Sequence, residues 1–231
     1  VTLEPVAYRD GPVDLSGMLY RPVGKPRAAV AVFPTILNPT PAVEAKARAL
    51  AEAGYVALIA DFYGQSPADF PAAVALSTDL RADPARYRKR LAAALDALSR
   101  AAPGLRQAAI GFCMGGQAVV ELAREGADLV AVASFHGLLD TGAPAEPGTV
   151  KARILVCHGD ADPLVPREQV VAFWEEMDRA GANWHFHAYS GVVHGFTNPN
   201  RPPAGGPVAY DASADRQSWA AMLSLFDEVF G

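Results

Sequence analysis

The run Ala108-Ala109-Ile110-Gly111-Phe112-Cys113-Met114-Gly115-Gly116-Gln117 constrains this chain more than any other. Small and apolar residues lead into Gly-x-Cys-x-Gly, and Gln117-Ala118-Val119-Val120-Glu121-Leu122 continues with helical character. The pattern predicts a strand, a one-residue turn and a helix, with a thiol at the apex. Gly111 and Gly115 suit a turn so sharp that side chains two positions to either side of the apex would collide. The first N–H groups of the helix then point at the sulfur and favour negative charge there. A buried structural cysteine in a glycine-rich turn satisfies the same spacing, so the rest of the chain has to decide.

The remaining pattern alternates strands and helices. Leu3–Tyr8 and Val13–Tyr20, around Asp10-Gly11-Pro12, read as a β-hairpin. Ala28–Phe33, Tyr55–Ala60, Leu129–Phe135 and Ala152–Cys157 are short apolar runs of the kind found in strands covered on both faces, and Trp184–Tyr189 reads as the last strand. Helical spacing marks 42–53, 167–180 and 211–230, and a stretch from Pro84 through Tyr87, Leu91, Leu95 and Leu98 that stops before Pro103-Gly104, with Gly54 and Gly181 placed as caps. Gln65–Thr78 is alanine-rich and carries no clear period. The expectation is one α/β domain over 1–231, with a mostly parallel central sheet, helices on both faces and an N-terminal antiparallel hairpin. Gly195–Tyr210, interrupted by Pro199, Pro202 and Pro203, reads as an irregular rim or lid.

Composition narrows the partners. A net charge of -5 argues against nucleic acid and anionic membrane surfaces. No apolar run approaches the roughly 20 residues of a membrane span. The two cysteines, Cys113 and Cys157, read as free thiols of a reducing compartment, which makes the cytoplasm the expected location. Nothing in the sequence specifies an oligomeric state.

In a parallel sheet the loops after the strands gather along one edge. Three such loops carry reactive residues in the order nucleophile, acid, base: Cys113, then Asp160 or Asp162 in His158-Gly159-Asp160-Ala161-Asp162, then His194 in Gly191-Val192-Val193-His194-Gly195-Phe196. Nucleophile–acid–base is the chain order of the α/β-hydrolase triad. His185 and His187 share one strand face, but no third ligand follows at a sensible spacing, so neither metal nor cofactor is expected.

These segments resemble the dienelactone hydrolase family of α/β-hydrolases, whose nucleophile is cysteine. The likeness runs nearly end to end: Phe33-Pro34-Thr35-Ile36, Asp61-Phe62-Tyr63-Gly64, Gly111–Gly116, His158-Gly159-Asp160 with Asp162-Pro163-Leu164-Val165-Pro166, and His194-Gly195-Phe196. The resemblance implies an α/β-hydrolase fold and hydrolysis of small-molecule esters or lactones without a cofactor. It makes Cys113 the nucleophile, His194 the base and, through the D-x-x-V-P pattern, Asp162 the acid. It also assigns the backbone N–H groups of Ile36 and Met114 to the oxyanion hole.

Two positions depart from the best-known branch. Thr35 stands where that branch has a glutamate that activates the thiol, and Asn198 stands where it has an arginine that holds a substrate carboxylate. Thr35, Phe112, His136, Phe196 and Asn198 are the expected substrate-binding residues, with Arg81, Arg86 and Arg201 as surface arginines that could substitute for the lost one. The same triad would serve an acyltransferase, and the fold without catalysis would serve a ligand binder.

Overall fold

The computed structural model describes residues 1–201 and 206–231. One eight-stranded sheet runs through it in the order β1-β2-β4-β3-β5-β6-β7-β8. Strands β1 (Thr2–Asp10) and β2 (Val13–Arg21) form the hairpin, and β2 joins β4 (Tyr55–Ile59) antiparallel. From β4 onward the sheet is parallel, through β3 (Ala28–Phe33), β5 (Gln107–Phe112), β6 (Ala131–Phe135), β7 (Arg153–Gly159) and β8 (Trp184–Tyr189).

The apolar runs are continuous because both sheet faces are covered. Along β3, Ala29, Ala31 and Phe33 enter one core, while Ala28, Val30 and Val32 enter the other. The second core lies under α1 (Pro41–Glu52) and α6 (Ala212–Phe230), which contribute Val43, Leu50, Met222 and Phe226. The first lies under α3 (Pro84–Ala101), α4 (Met114–Glu125) and α5 (Arg167–Ala180), which contribute Leu91, Leu98, Val119, Phe173 and Met177. Side-chain caps start several of these helices: Thr40, Asp83 and Asp211 each accept a first-turn N–H.

The alanine-rich stretch left without a period is helix α2 (Phe70–Arg81), capped by Asp69. Its buried positions are Ala73, Ser77 and Leu80, so only one large apolar residue marks the face and the period is faint. The irregular segment after β8 doubles back: Val208 bridges to His194, and Ala209 N–H donates to the His194 carbonyl at 3.1 Å. Pro202 and Pro203, part of the expected rim, lie outside the described residues. No described helix is long and apolar enough to cross a membrane.

Candidate active site

The turn between β5 and α4 is enforced by lack of space. A Cβ on Gly111 would run into the carbonyl of Gly115, and one on Gly115 into the carbonyls of Phe33 and Pro34. Gly116 lies so close to the next loop that its Cβ would sit 2.6 Å from the Gly137 Cα. Cys113 at the apex has φ 57° and ψ -117°, a backbone conformation that L residues avoid and that the packed glycines impose. Its thiol is half-buried, whereas Cys157 on β7 is wholly buried and its thiol is pushed up to about 12 by that burial.

The loops after β7 and β8 bring a carboxylate and an imidazole to the same place. His194 Nδ1 donates to Asp162 Oδ2 at 2.7 Å, and both residues are buried. The other Asp162 oxygen accepts the Leu164 N–H at 2.9 Å, which anchors the carboxylate to its own turn. Asp160, the alternative by spacing alone, points outward to Arg167 at 2.7 Å. Burial alone would push the His194 pKa down. The hydrogen bond to Asp162 and the neighbouring Cys113 thiol more than offset it, and the imidazole rises from 6.5 to about 10. An imidazole so placed can hold a proton beside the sulfur at neutral pH.

Beside this pair lies a mainly apolar cavity of about 160 Å³. Thr35, Ile36, Phe112, Cys113, His136, His194 and Asn198 line it, as does Thr197. Neither the Ile36 N–H nor the Met114 N–H has an acceptor among the described residues, although the N–H groups of Leu37 and Asn38 do. Those of Gly116 and Gln117 are taken by the Cys113 carbonyl. The Gly115 N–H likewise has no acceptor among the described residues, so the free donors come from the residue that follows Thr35 and from the first two that follow Cys113.

Several expected contacts are different in kind. Phe196 does not line the cavity: it is fully buried, with its ring edge-on to His136 at 5.1 Å and to Tyr189 at 5.6 Å, so it supports the floor from below. His136 does line the cavity, but both ring nitrogens are occupied. Its Nδ1 accepts the Cys113 N–H at 3.2 Å, which leaves the proton on Nε2 to donate to Thr197 Oγ1 at 2.8 Å. Burial, reinforced by the charge of His194, holds its pKa well below the ordinary value, so it stays neutral. With φ 41° it is, like Cys113, locked in a strained conformation. Thr35 spends its hydroxyl on the Leu37 N–H at 3.2 Å. Arg81 is engaged by Gln117 and Asp140, and Arg86 by Asp79, whereas Arg201 reaches the cavity.

Sequence reasoning missed Lys46, Phe70 and Leu164, which also line the cavity. Lys46 is held at 2.5 Å by Asp215 and lies 4.8 Å over the Trp219 ring, both from the far end of the chain. Phe70 and Leu164 are 59% and 51% exposed, and an apolar residue left half in water beside a cavity is the one signal they carried. Among the described residues no three potential metal ligands gather anywhere.

Comparison with known proteins places the chain in a family. The profile of the dienelactone hydrolase family matches residues 15–230. Over 216 residues the chain is 30% identical to a probable 2-oxo-3-(5-oxofuran-2-ylidene)propanoate lactonase of Bradyrhizobium sp., covering 87% of this chain and 84% of that protein. Two solved structures superpose over all of this chain and 99% of theirs, each with a TM-score of 0.91. One is m3DLH, 37% identical. The other is a dienelactone hydrolase-like promiscuous phosphotriesterase from metagenomic libraries, 38% identical.

Proposed function

This chain belongs to the dienelactone hydrolase family, and from that premise we propose that it hydrolyses carboxylic esters or lactones with Cys113, His194 and Asp162, without a cofactor. What supports the reading most directly is His194, hydrogen-bonded to a buried carboxylate on one side, beside the elbow thiol on the other, and raised to about 10.

The chemistry follows from the groups. His194 takes the Cys113 proton, and Asp162 orients the ring and stabilises its charge. The sulfur attacks the substrate carbonyl carbon, and the oxygen that becomes negative is met by the Ile36 and Met114 N–H groups. One such donor is typically worth about 3 kcal/mol of transition-state stabilisation. The C–O bond then breaks, the alkoxide leaves with the His194 proton, and the acyl group stays on sulfur as a thioester. Water attacks that thioester with His194 as its base; the C–S bond breaks, and acid and thiol are regenerated.

The residue at 35 cannot act as a base, so activation rests on His194 and the α4 N-terminus. On the substrate side, Phe112, Ile36, Phe70, Leu164 and Val208 suit an uncharged ester body. The test is p-nitrophenyl acetate with wild type and Cys113→Ala, followed by mass spectrometry of the acylated protein. Release of p-nitrophenol by wild type alone, with the acyl group on Cys113, is the expected result. Equal turnover by both proteins would sink the reading.

A further inference from the structure

The Ile36 donor sits in the loop 34–40 between β3 and α1, in a turn closed by the single bridge of Thr35 with Asn38, yet an oxyanion hole works only if its donors are held in place before charge develops. Something has to hold the peptide plane that carries it. That plane joins the Thr35 carbonyl to the Ile36 N–H, and in a trans peptide the two point in opposite directions. Fixing the carbonyl therefore aims the N–H.

The carbonyl is fixed by Asn38, whose N–H donates to Thr35 O at 3.0 Å. Asn38 closes this turn and itself has φ 62°, in the left-handed region. Its own side chain holds that conformation. Asn38 Nδ2 donates to Asp61 Oδ1 at 2.9 Å and to the Gln65 carbonyl at 3.2 Å, and Asn38 Oδ1 accepts the Phe62 N–H at 3.0 Å. Asp61 is anchored in turn: Oδ1 also accepts the Tyr63 and Gly64 N–H groups, each at 2.9 Å, and Oδ2 accepts the Ser16 N–H at 3.0 Å. The next peptide is held separately, since Tyr63 donates its hydroxyl to Ile36 O at 3.1 Å. Asn38 is buried and does not line the cavity, so it has no access to substrate.

We infer that Asn38, clamped by Asp61, is a positioning residue that fixes the orientation of the Ile36 N–H in the oxyanion hole. The inference rests on the proposed ester-hydrolase reading for its catalytic consequence, but the orientation of one amide can be tested without turnover.

Asn38→Gly is the informative variant, because glycine accepts the left-handed backbone and removes only the side-chain clamp. For p-nitrophenyl acetate, kcat should fall roughly 10- to 100-fold with KM little changed, since the donor acts on the transition state. Alkylation of Cys113 by iodoacetamide should stay within about twofold, because displacement at a saturated carbon develops no oxyanion. In 15N relaxation the Ile36 amide should become mobile in the variant while the Met114 amide does not. Wild-type ester turnover in the variant would overturn the inference, and so would an equal fall in turnover and alkylation, the mark of a merely scaffolding role. An Ile36 amide as rigid as in wild type would overturn it too. Wild type that is itself inert towards esters would instead count against the hydrolase reading, and the Ile36 amide would still decide the role of Asn38.

Discussion

The floor of the cavity and its mouth are built on opposite principles. On the floor, Gly111, Gly115 and Gly116 leave no room for a Cβ, and Cys113 and His136 are held in backbone conformations that cost energy. The Asp162 carboxylate and the His194 imidazole are buried there, hydrogen-bonded to each other. At the mouth, Phe70 and Leu164 are half in water, and Arg201 is exposed without a carboxylate partner among the described residues. The floor stores strain to fix atoms in place; the mouth fixes little. Chemistry should therefore be brittle to substitution and substrate choice tolerant, and the following variants press on that difference.

Asp162→Asn should have the largest effect on activity. It keeps the shape of the turn but removes the charge that steadies the imidazolium, and losses of roughly 10³- to 10⁴-fold in kcat/KM accompany such changes in related triads. The pH profile checks the cause. Below about 10, His194 carries the proton that an alkoxide needs in order to leave; above it, that proton is gone. With an ethyl ester, kcat/KM should fall as the pH rises through that value. A p-nitrophenyl ester, whose leaving group needs no proton, should show the limb weakly. Since the Asp162 interaction raises the His194 pKa, its removal should move the limb to lower pH. A limb that stays in place would detach the carboxylate from the ring's titration.

Gly111→Ala comes next. The new methyl meets backbone carbonyl, which has no rotamer to retreat into, so the floor must deform. A loss of about 3 kcal/mol or more is expected, a fall in Tm of roughly 6–12 °C for a chain of this size. Gly206, on the return segment, has open space at its Cβ position. Its replacement by alanine should change Tm by about 1 °C at most, consistent with a surface change below 0.5 kcal/mol. Equal losses at both positions, measured by thermal unfolding, would erase the contrast between floor and mouth.

That contrast also separates what the sequence disclosed from what it hid. The floor was legible because steric demands restrict residue identity locally: Gly-x-Cys-x-Gly admits few structures, and the loop order of Cys113, Asp162 and His194 follows from a parallel sheet. The choice of Asp162 over Asp160 needed the family pattern, and the structure gives its physical counterpart in the outward pairing of Asp160 with Arg167. The residues that escaped act through partners distant in the chain. Lys46 is a plain helical lysine until Asp215 and Trp219 fold beside it. Asn38 looks like one more polar residue in a proline-rich loop until Asp61 arrives from the end of β4. Placement near a strand end cannot distinguish a wall of the cavity, which His136 is, from the support behind it, which Phe196 is.

Phe70→Ala and Leu164→Ala probe the mouth. Each side chain is about half exposed already, so a bound acyl chain gains only part of the 1.5–3 kcal/mol of a fully buried residue, about 1 kcal/mol. Butyrate and longer p-nitrophenyl esters should show KM raised about fivefold, with p-nitrophenyl acetate turnover and Tm unchanged. A fall in acetate kcat would mean that the mouth also positions the reacting carbonyl, and the division between the two regions would have to be redrawn.

Arg201→Gln should have the smallest effect and the most selective one. Lys46 is neutralised by Asp215, so among the described residues Arg201 is the cavity-lining arginine or lysine with charge to spare for a substrate. An exposed guanidinium is screened, and such a pair is worth about 0.2–1 kcal/mol, at most a fivefold rise in KM. The rise should appear with an ester or lactone bearing a carboxylate, shrink with added salt, and be absent with the uncharged analogue of the same size. A hundredfold or larger effect that persists in salt would place Arg201 in a fixed, desolvated contact with the anion, so that part of the mouth would be as rigidly built as the floor. No effect on either substrate would leave recognition to the apolar walls, and with Asn198 in place of the arginine expected in the best-known branch the preferred substrate would then be an uncharged ester.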